Sequence, residues 1–219
     1  MKNGKLLGLV SAIALAFAGA AAQAKLVEAD PFQIDLTGTG LGNAQTILTI
    51  TSPGNTTTES GSVFAMGAAQ ATSGDTVAIN QLQTFSGSAS NLRLVFNPAE
   101  PQNDSDGIIL QSLVLTAFDA AGDTRFTSGI FTPVPLTASE AGTGKSGFVF
   151  KLDDAQAAQL DTAISSFGAT RIGLQATALD ATGGHETFFL TAVPEPETWA
   201  LFVAGLLGVA GMVRRRIPI

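Results

Sequence analysis

Two uncharged apolar segments bracket this chain, and each carries its positive charge on the terminal side. Lys2 and Lys5 lead into the run Leu6 to Ala22, and Arg214, Arg215 and Arg216 follow the run Trp199 to Val213. Neither run alternates polar with apolar residues, so neither fits the half-buried elements of a water-soluble fold. Whatever globular domain this sequence encodes must come from the stretch between them.

The first segment reads as a secretory signal peptide. It has a basic start, an apolar centre, and Ala22 and Ala24 as the small residues of an A-x-A cleavage site. The alternative, an uncleaved N-terminal anchor, leaves that well-formed site without a purpose. The expected organisation is a signal peptide over residues 1–24, an exported domain over residues 25–192, and a terminal segment over residues 193–219.

The terminal segment begins Val193-Pro194-Glu195-Pro196. Both prolines disfavour helix, so Pro194, Glu195 and Pro196 are expected as an extended, accessible stretch. Trp199 to Val213 holds 15 residues without a charge. As a helix it spans roughly 22 Å, short of a ~30 Å hydrocarbon core. Arg214 to Arg216 can snorkel to head groups at one face, and Trp199 suits the other. The expectation is a marginal transmembrane helix over residues 199–213, its arginines held on the cytoplasmic side as a membrane stop. Ala200, Ala204 and Gly208 form a small-residue face along it, suited to docking another helix. An ordinary, unprocessed anchor is the plainer reading.

In this order the three elements resemble the PEP-CTERM domain, the exosortase recognition sequence of Gram-negative bacteria that make exopolysaccharide. The resemblance rests on Pro194-Glu195-Pro196, the apolar Ala200 to Val213, and Arg214-Arg215-Arg216. It implies passage through the inner membrane, recognition by an exosortase, removal of the tail, and delivery to the cell surface or extracellular matrix. Phrases of the central region are also similar to uncharacterised PEP-CTERM ectodomains: Leu92 to Asn97 before Glu100-Pro101, Leu113 to Thr116 before Ala120-Ala121-Gly122, and Gly183 to Phe188. That resemblance implies a β-sandwich without a known activity. Phe118 stands where relatives often carry tyrosine, so no phenol chemistry carries over.

Charge and composition narrow the function classes. Eleven Lys and Arg face eighteen Asp and Glu, for a net charge of −7. Five of the eleven cations, Lys2, Lys5 and Arg214 to Arg216, lie at the ends, whereas every acid lies between them. So acidic a domain offers no basic surface for nucleic acid or anionic lipid. With no cysteine, an exported domain must be held by burial or by bound ions rather than by disulfides.

Short apolar runs separated by Gly, Pro, Asn and Asp clusters predict strands at Ile47–Ile50, Asn91–Phe96, Ile108–Phe118, Thr124–Thr127, Gly147–Phe150, Ile172–Ala176 and Thr187–Leu190. One helix is expected after Asp153, which caps it with Gln156 three residues on, while Leu160, Ala163 and Ile164 share a face. Asn55 to Ser60 reads as a polar loop. The expected fold class is therefore mainly β, a β-sandwich or jelly roll with one short helix, plus the C-terminal transmembrane helix.

Chemistry is sparse. His185 is the only histidine, and no Gly-x-Ser-x-Gly elbow accompanies it, so it reads as a turn residue rather than a triad member or zinc ligand. Gly142-Thr143-Gly144-Lys145-Ser146 lacks the first glycine of a phosphate loop. Asp104 and Asp106 alternate before Gly107 and are candidate Ca²⁺ ligands, although Leu115 replaces the acid that closes an EF-hand loop. The bland account of that stretch is a solvated turn. Sugar stacking favours Trp and Tyr; there is no tyrosine, and Trp199 lies in the tail. The expectation is a non-enzymatic exported protein of structural or adhesive type. A polysaccharide-binding module is the first alternative and a carboxylate-based glycan-active enzyme the second. The expected partners are an exosortase, the inner membrane in transit, and exopolysaccharide.

Overall fold

The computed structural model describes residues 25–35, 45–51, 56–64, 73–82, 88–99, 107–137 and 146–192. Among these the protein is mainly β, with twelve strands and one α-helix. The strands are β1 Leu26–Asp35, β2 Gln45–Ile50, β3 Glu59–Ser62, β4 Ser73–Gly74, β5 Val77–Ala78, β6 Leu92–Asn97, β7 Ile108–Asp119, β8 Thr124–Thr127, β9 Val134–Leu136, β10 Ser146–Leu152, β11 Ala169–Leu179 and β12 Glu186–Ala192; helix α1 covers Asp154–Phe167. All the predicted strands are present within one to three residues at their ends. The transmembrane helix expected over residues 199–213 lies outside the described residues, and among those described no helix is long and apolar enough to cross a membrane.

Two antiparallel sheets form. The first runs β1-β10-β6-β12-β2-β4; the second runs β3-β11-β7-β8, with β5 added to β11 and β9 to β7. Alternation selects the inward faces. Leu92, Leu94 and Phe96 of β6, and Phe188 and Leu190 of β12, are buried and share one cluster with Ile172, Leu174 and Ala176 of β11 and Leu113 and Leu115 of β7. One hydrophobic core therefore draws on both sheets. Phe96 and Phe188 are directly paired across β6 and β12, and their rings stack with centroids 4.6 Å apart.

Two irregularities explain how this sequence keeps its register. In β7 the inward series runs Ile108 and Leu110, then Leu113, Leu115 and Ala117, a break in the two-residue period, and Phe118 is buried as well. The register with β11 slips between Ala178 and Thr177 at this point, and the bulge returns the apolar side chains to the interior. In β1 the pairing with β10 breaks between Glu28 and Gln33, around Pro31. Proline has no N–H for a ladder and is accommodated because β1 is an edge strand. Close approach fixes one glycine: a Cβ on Gly173 of β11 would collide with the Val63 carbonyl oxygen just beyond β3.

Helix α1 begins as the sequence predicts. The Asp153 carboxylate accepts from the Gln156 N–H at 2.9 Å, and Leu160 and Ala163 are buried. The reciprocal bond of a capping box does not form: the Asp153 N–H donates instead to the Lys25 carbonyl at 3.2 Å. Asp161, two residues before the buried Ala163, accepts from the Ala89 N–H at 2.6 Å and so ties α1 to the 3₁₀ turn that leads into β6. Gly168 ends the helix with φ +68° and turns the chain into β11. The predicted polar loop Asn55 to Ser60 is partly wrong: Glu59 and Ser60 belong to β3, because its pairing with Thr177 and Ala178 of β11 outweighs a polar local sequence.

The β7–β8 hairpin is closed by charge. Asp119 accepts from the Ala121 and Asp123 N–H groups, each at 2.9 Å, and from Arg125 Nε at 2.8 Å. The hydrogen bond from Arg125 holds the Asp119 carboxyl below the usual carboxylate range, and the same bond raises the Arg125 guanidinium.

Truncating Phe188→Ala removes the stacked partner of Phe96 and leaves a cavity in a shared core, so unfolding free energy should fall by about 3–5 kcal/mol, read as a lower denaturant midpoint at unchanged m. Because the Asp119 pKa is depressed on folding, its contribution is fully present above the unfolded carboxylate value and is lost as pH falls through the lower folded value. Asp119→Asn, which keeps the turn's acceptor, should therefore lower Tm at neutral pH, and the gap from wild type should start to narrow below about pH 4 and close only at lower pH.

Candidate functional site

Register alone sorts the molecule into two ends. Leu26 pairs with Leu152 at the end of β10, and Ala192 at the end of β12 pairs with Leu92 at the start of β6. Since β10 and β6 are antiparallel with Phe150 opposite Leu94, Lys25 and Ala192 leave the first sheet at the same end. This near end also carries α1. The Lys25 main-chain N–H donates to Asp153 Oδ2 at 2.8 Å, and Lys25 Nζ reaches Thr132 Oγ1 at 3.3 Å.

The far end carries the opposite strand ends: Ile50 of β2, Asn97 of β6, Ile108 of β7, Glu59 of β3, Leu179 of β11 and Glu186 of β12. The connection 137–145 passes between the sheets at this end, and so do 51–58, 98–107 and 180–185. The last three are laced together by main-chain bonds, Ala181 N–H to Thr57 O at 3.0 Å and Gly184 N–H to Ala99 O at 3.3 Å. His185 is exposed in the last of these connections, as a turn residue.

The residues singled out by sequence fall outside the described set: Ala22 and Ala24 of the cleavage site, Pro194, Glu195 and Pro196 of the extended motif, Arg214, Arg215 and Arg216 of the membrane stop, and Asp104 and Asp106 of the acidic loop. Their flanks are described. Lys25 follows the cleavage site directly, Ala192 precedes the terminal segment, and Ala99 and Gly107 border the acidic stretch at the far end.

Sequence reasoning missed two carboxylates. Glu186 is 0 % exposed and Glu59 is 1 % exposed, on the inward faces of opposite sheets at the far end. Neither Glu186 carboxylate oxygen has a hydrogen-bond partner. The one available signal was alternation: Glu186 continues the Phe188, Leu190, Ala192 series by one step inward, and a charged residue in a core series is rare. Among the described residues no group of three or more His, Asp or Glu gathers as a ready metal centre.

Surface clefts are shallow in chemistry. A cavity of about 620 Å³ lies beside the end of α1, lined by Ile79, Ala120, Ile164, Ala169 and Arg171 among others, and one of about 520 Å³ lies between α1 and β8, lined by Arg125, Phe126, Gln159 and the exposed Phe167. Among the described residues, neither is lined by a carboxylate. A third, about 430 Å³, has Glu28 and Lys25 on its wall.

No curated protein and no solved structure matches the chain. The family described as the PEP-CTERM protein-sorting motif matches residues 192–216. The match begins at Ala192, the last residue of β12, and runs through Arg216, so it takes in Pro194, Glu195, Pro196, the apolar run and the arginines. A mainly β domain thus passes, at its near end, straight into a PEP-CTERM sorting motif, which marks the protein for export, membrane-associated sorting and recognition by an exosortase.

Proposed function

We propose that this is a surface or extracellular-matrix protein of structural or adhesive type, a β-sandwich freed at both ends: by signal cleavage after Ala24 and by exosortase processing at Pro194-Glu195-Pro196. The observation that carries the reading is the placement of Lys25 and Ala192 at one end, with the matched sorting motif starting at Ala192. A helix over residues 199–213 lodged in the inner membrane would then hold the domain by its near end. The far-end connections would point away from the bilayer. The single core drawn from two antiparallel sheets supports the sandwich reading, and the acidic composition suits a matrix component that must stay soluble during export. Exopolysaccharide is the matrix partner in this reading, contacted at the far end.

Signal cleavage has a structural consequence. It turns the Lys25 N–H that meets Asp153 Oδ2 into an α-ammonium group, so a hydrogen bond becomes an ion pair at the helix N-cap. Asp153→Ala should then lower the Tm of the cleaved protein more than that of the uncleaved precursor; an equal loss in both would mean the new amino group contributes nothing. For the tail, replacing Pro194-Glu195-Pro196 with three alanines should leave the protein in the membrane fraction with its tail attached. Unchanged release into the medium would remove the sorting step from this account.

A further inference from the structure

Glu186 is the group the fold leaves unexplained. It opens β12, faces the interior, is fully buried, and both of its carboxylate oxygens lack partners. Its surroundings offer little relief. Ile50 is its cross-strand neighbour on β2, and on the β6 side the position one step beyond the Thr187–Asn97 pair is Pro98, which has no N–H to donate. Across the interior, Glu59 is flanked in its own sheet by Ala178, which pairs in turn with Leu110. Among the described residues the ion pairs formed engage Asp119, Asp123 and Asp75, not Glu186. A buried carboxylate in such a place is strongly disfavoured unless positive charge joins it.

We propose that Glu186, with Glu59 on the facing sheet, holds a hard divalent cation of the calcium type between the two sheets at the far end. The donor chemistry selects the ion. Both side chains offer only oxygen, the chain has no cysteine, and its one histidine is exposed at 185, so a thiolate- or imidazole-seeking metal finds no ligand. Calcium accepts six to eight oxygens in flexible geometry, which lets backbone carbonyls and water complete a shell that two carboxylates begin. The ion would also tie together the connections that meet here, in a domain that has no disulfide to do so. The ligands assigned here are not Asp104 and Asp106, whose alternate spacing was the sequence's own calcium candidate.

The test uses the full-length protein in detergent, stripped with chelator and titrated with CaCl₂ at neutral pH. Saturating calcium should raise Tm by about 5 °C, with a single ion bound per chain by calorimetry. Glu186→Gln should abolish that rise, and its metal-free Tm should lie above that of metal-free wild type, because the neutral amide removes an uncompensated charge. Should Glu186→Gln fail to fold, Glu59→Gln serves in its place and should weaken binding at least tenfold; unchanged binding overturns the pairing. The double variant Asp104→Asn, Asp106→Asn should keep the full response, and its loss there would move the ion to the acidic loop and overturn the assignment. A wild-type Tm indifferent to calcium overturns the site altogether.

Discussion

The antiparallel pairing of β6 with β12 sets both the core and the orientation of the molecule. Phe188 opposite Phe96 puts two stacked rings at the centre of the cluster that the two sheets share. The same register sends Ala192 out beside Leu92, at the end where Lys25 enters beside Leu152. Because side chains alternate along a strand, a slip of one residue would turn the rings outward, and the price of exposing this core holds the tail's point of departure fixed.

The consequence is a domain with two unlike ends. At the near end, α1 is tied to the start of the chain through Asp153 and to the entry of β6 through Asp161. At the far end, main-chain bonds between connections do the tying, and two acids are shut into the interior. A domain without cysteine has only burial, hydrogen bonds and ions with which to fasten its loops. The near end uses hydrogen bonds; at the far end Glu186 is a fully buried carboxylate with no hydrogen-bond partner on either oxygen.

Much of this was legible in the sequence, for reasons that differ from place to place. The strands β2, β6, β7, β10, β11 and β12 announce themselves as apolar runs between turn residues, and Asp153 with Gln156 marks the helix start. The terminal motif is legible because a sorting signal is read as a linear string of proline, apolar run and arginines, with no fold needed. The edge strand β1 was hidden by Pro31, and β3 by a polar composition whose pairing comes from β11, more than a hundred residues away. The missing half of the capping box could not be foreseen, since its donor goes to Lys25. Least legible was the burial of Glu59 and Glu186 at one end, because it depends on how two sheets meet and not on any local spacing.

Intact mass of the protein released from the cells that make it tests the central claim most directly, since one spectrum reports both ends of the polypeptide. A species that starts at Lys25 and lacks everything from Trp199 onward is what this account predicts. A released species that retains Met1 through Ala24 together with the apolar run and Arg214 to Arg216 would contradict it.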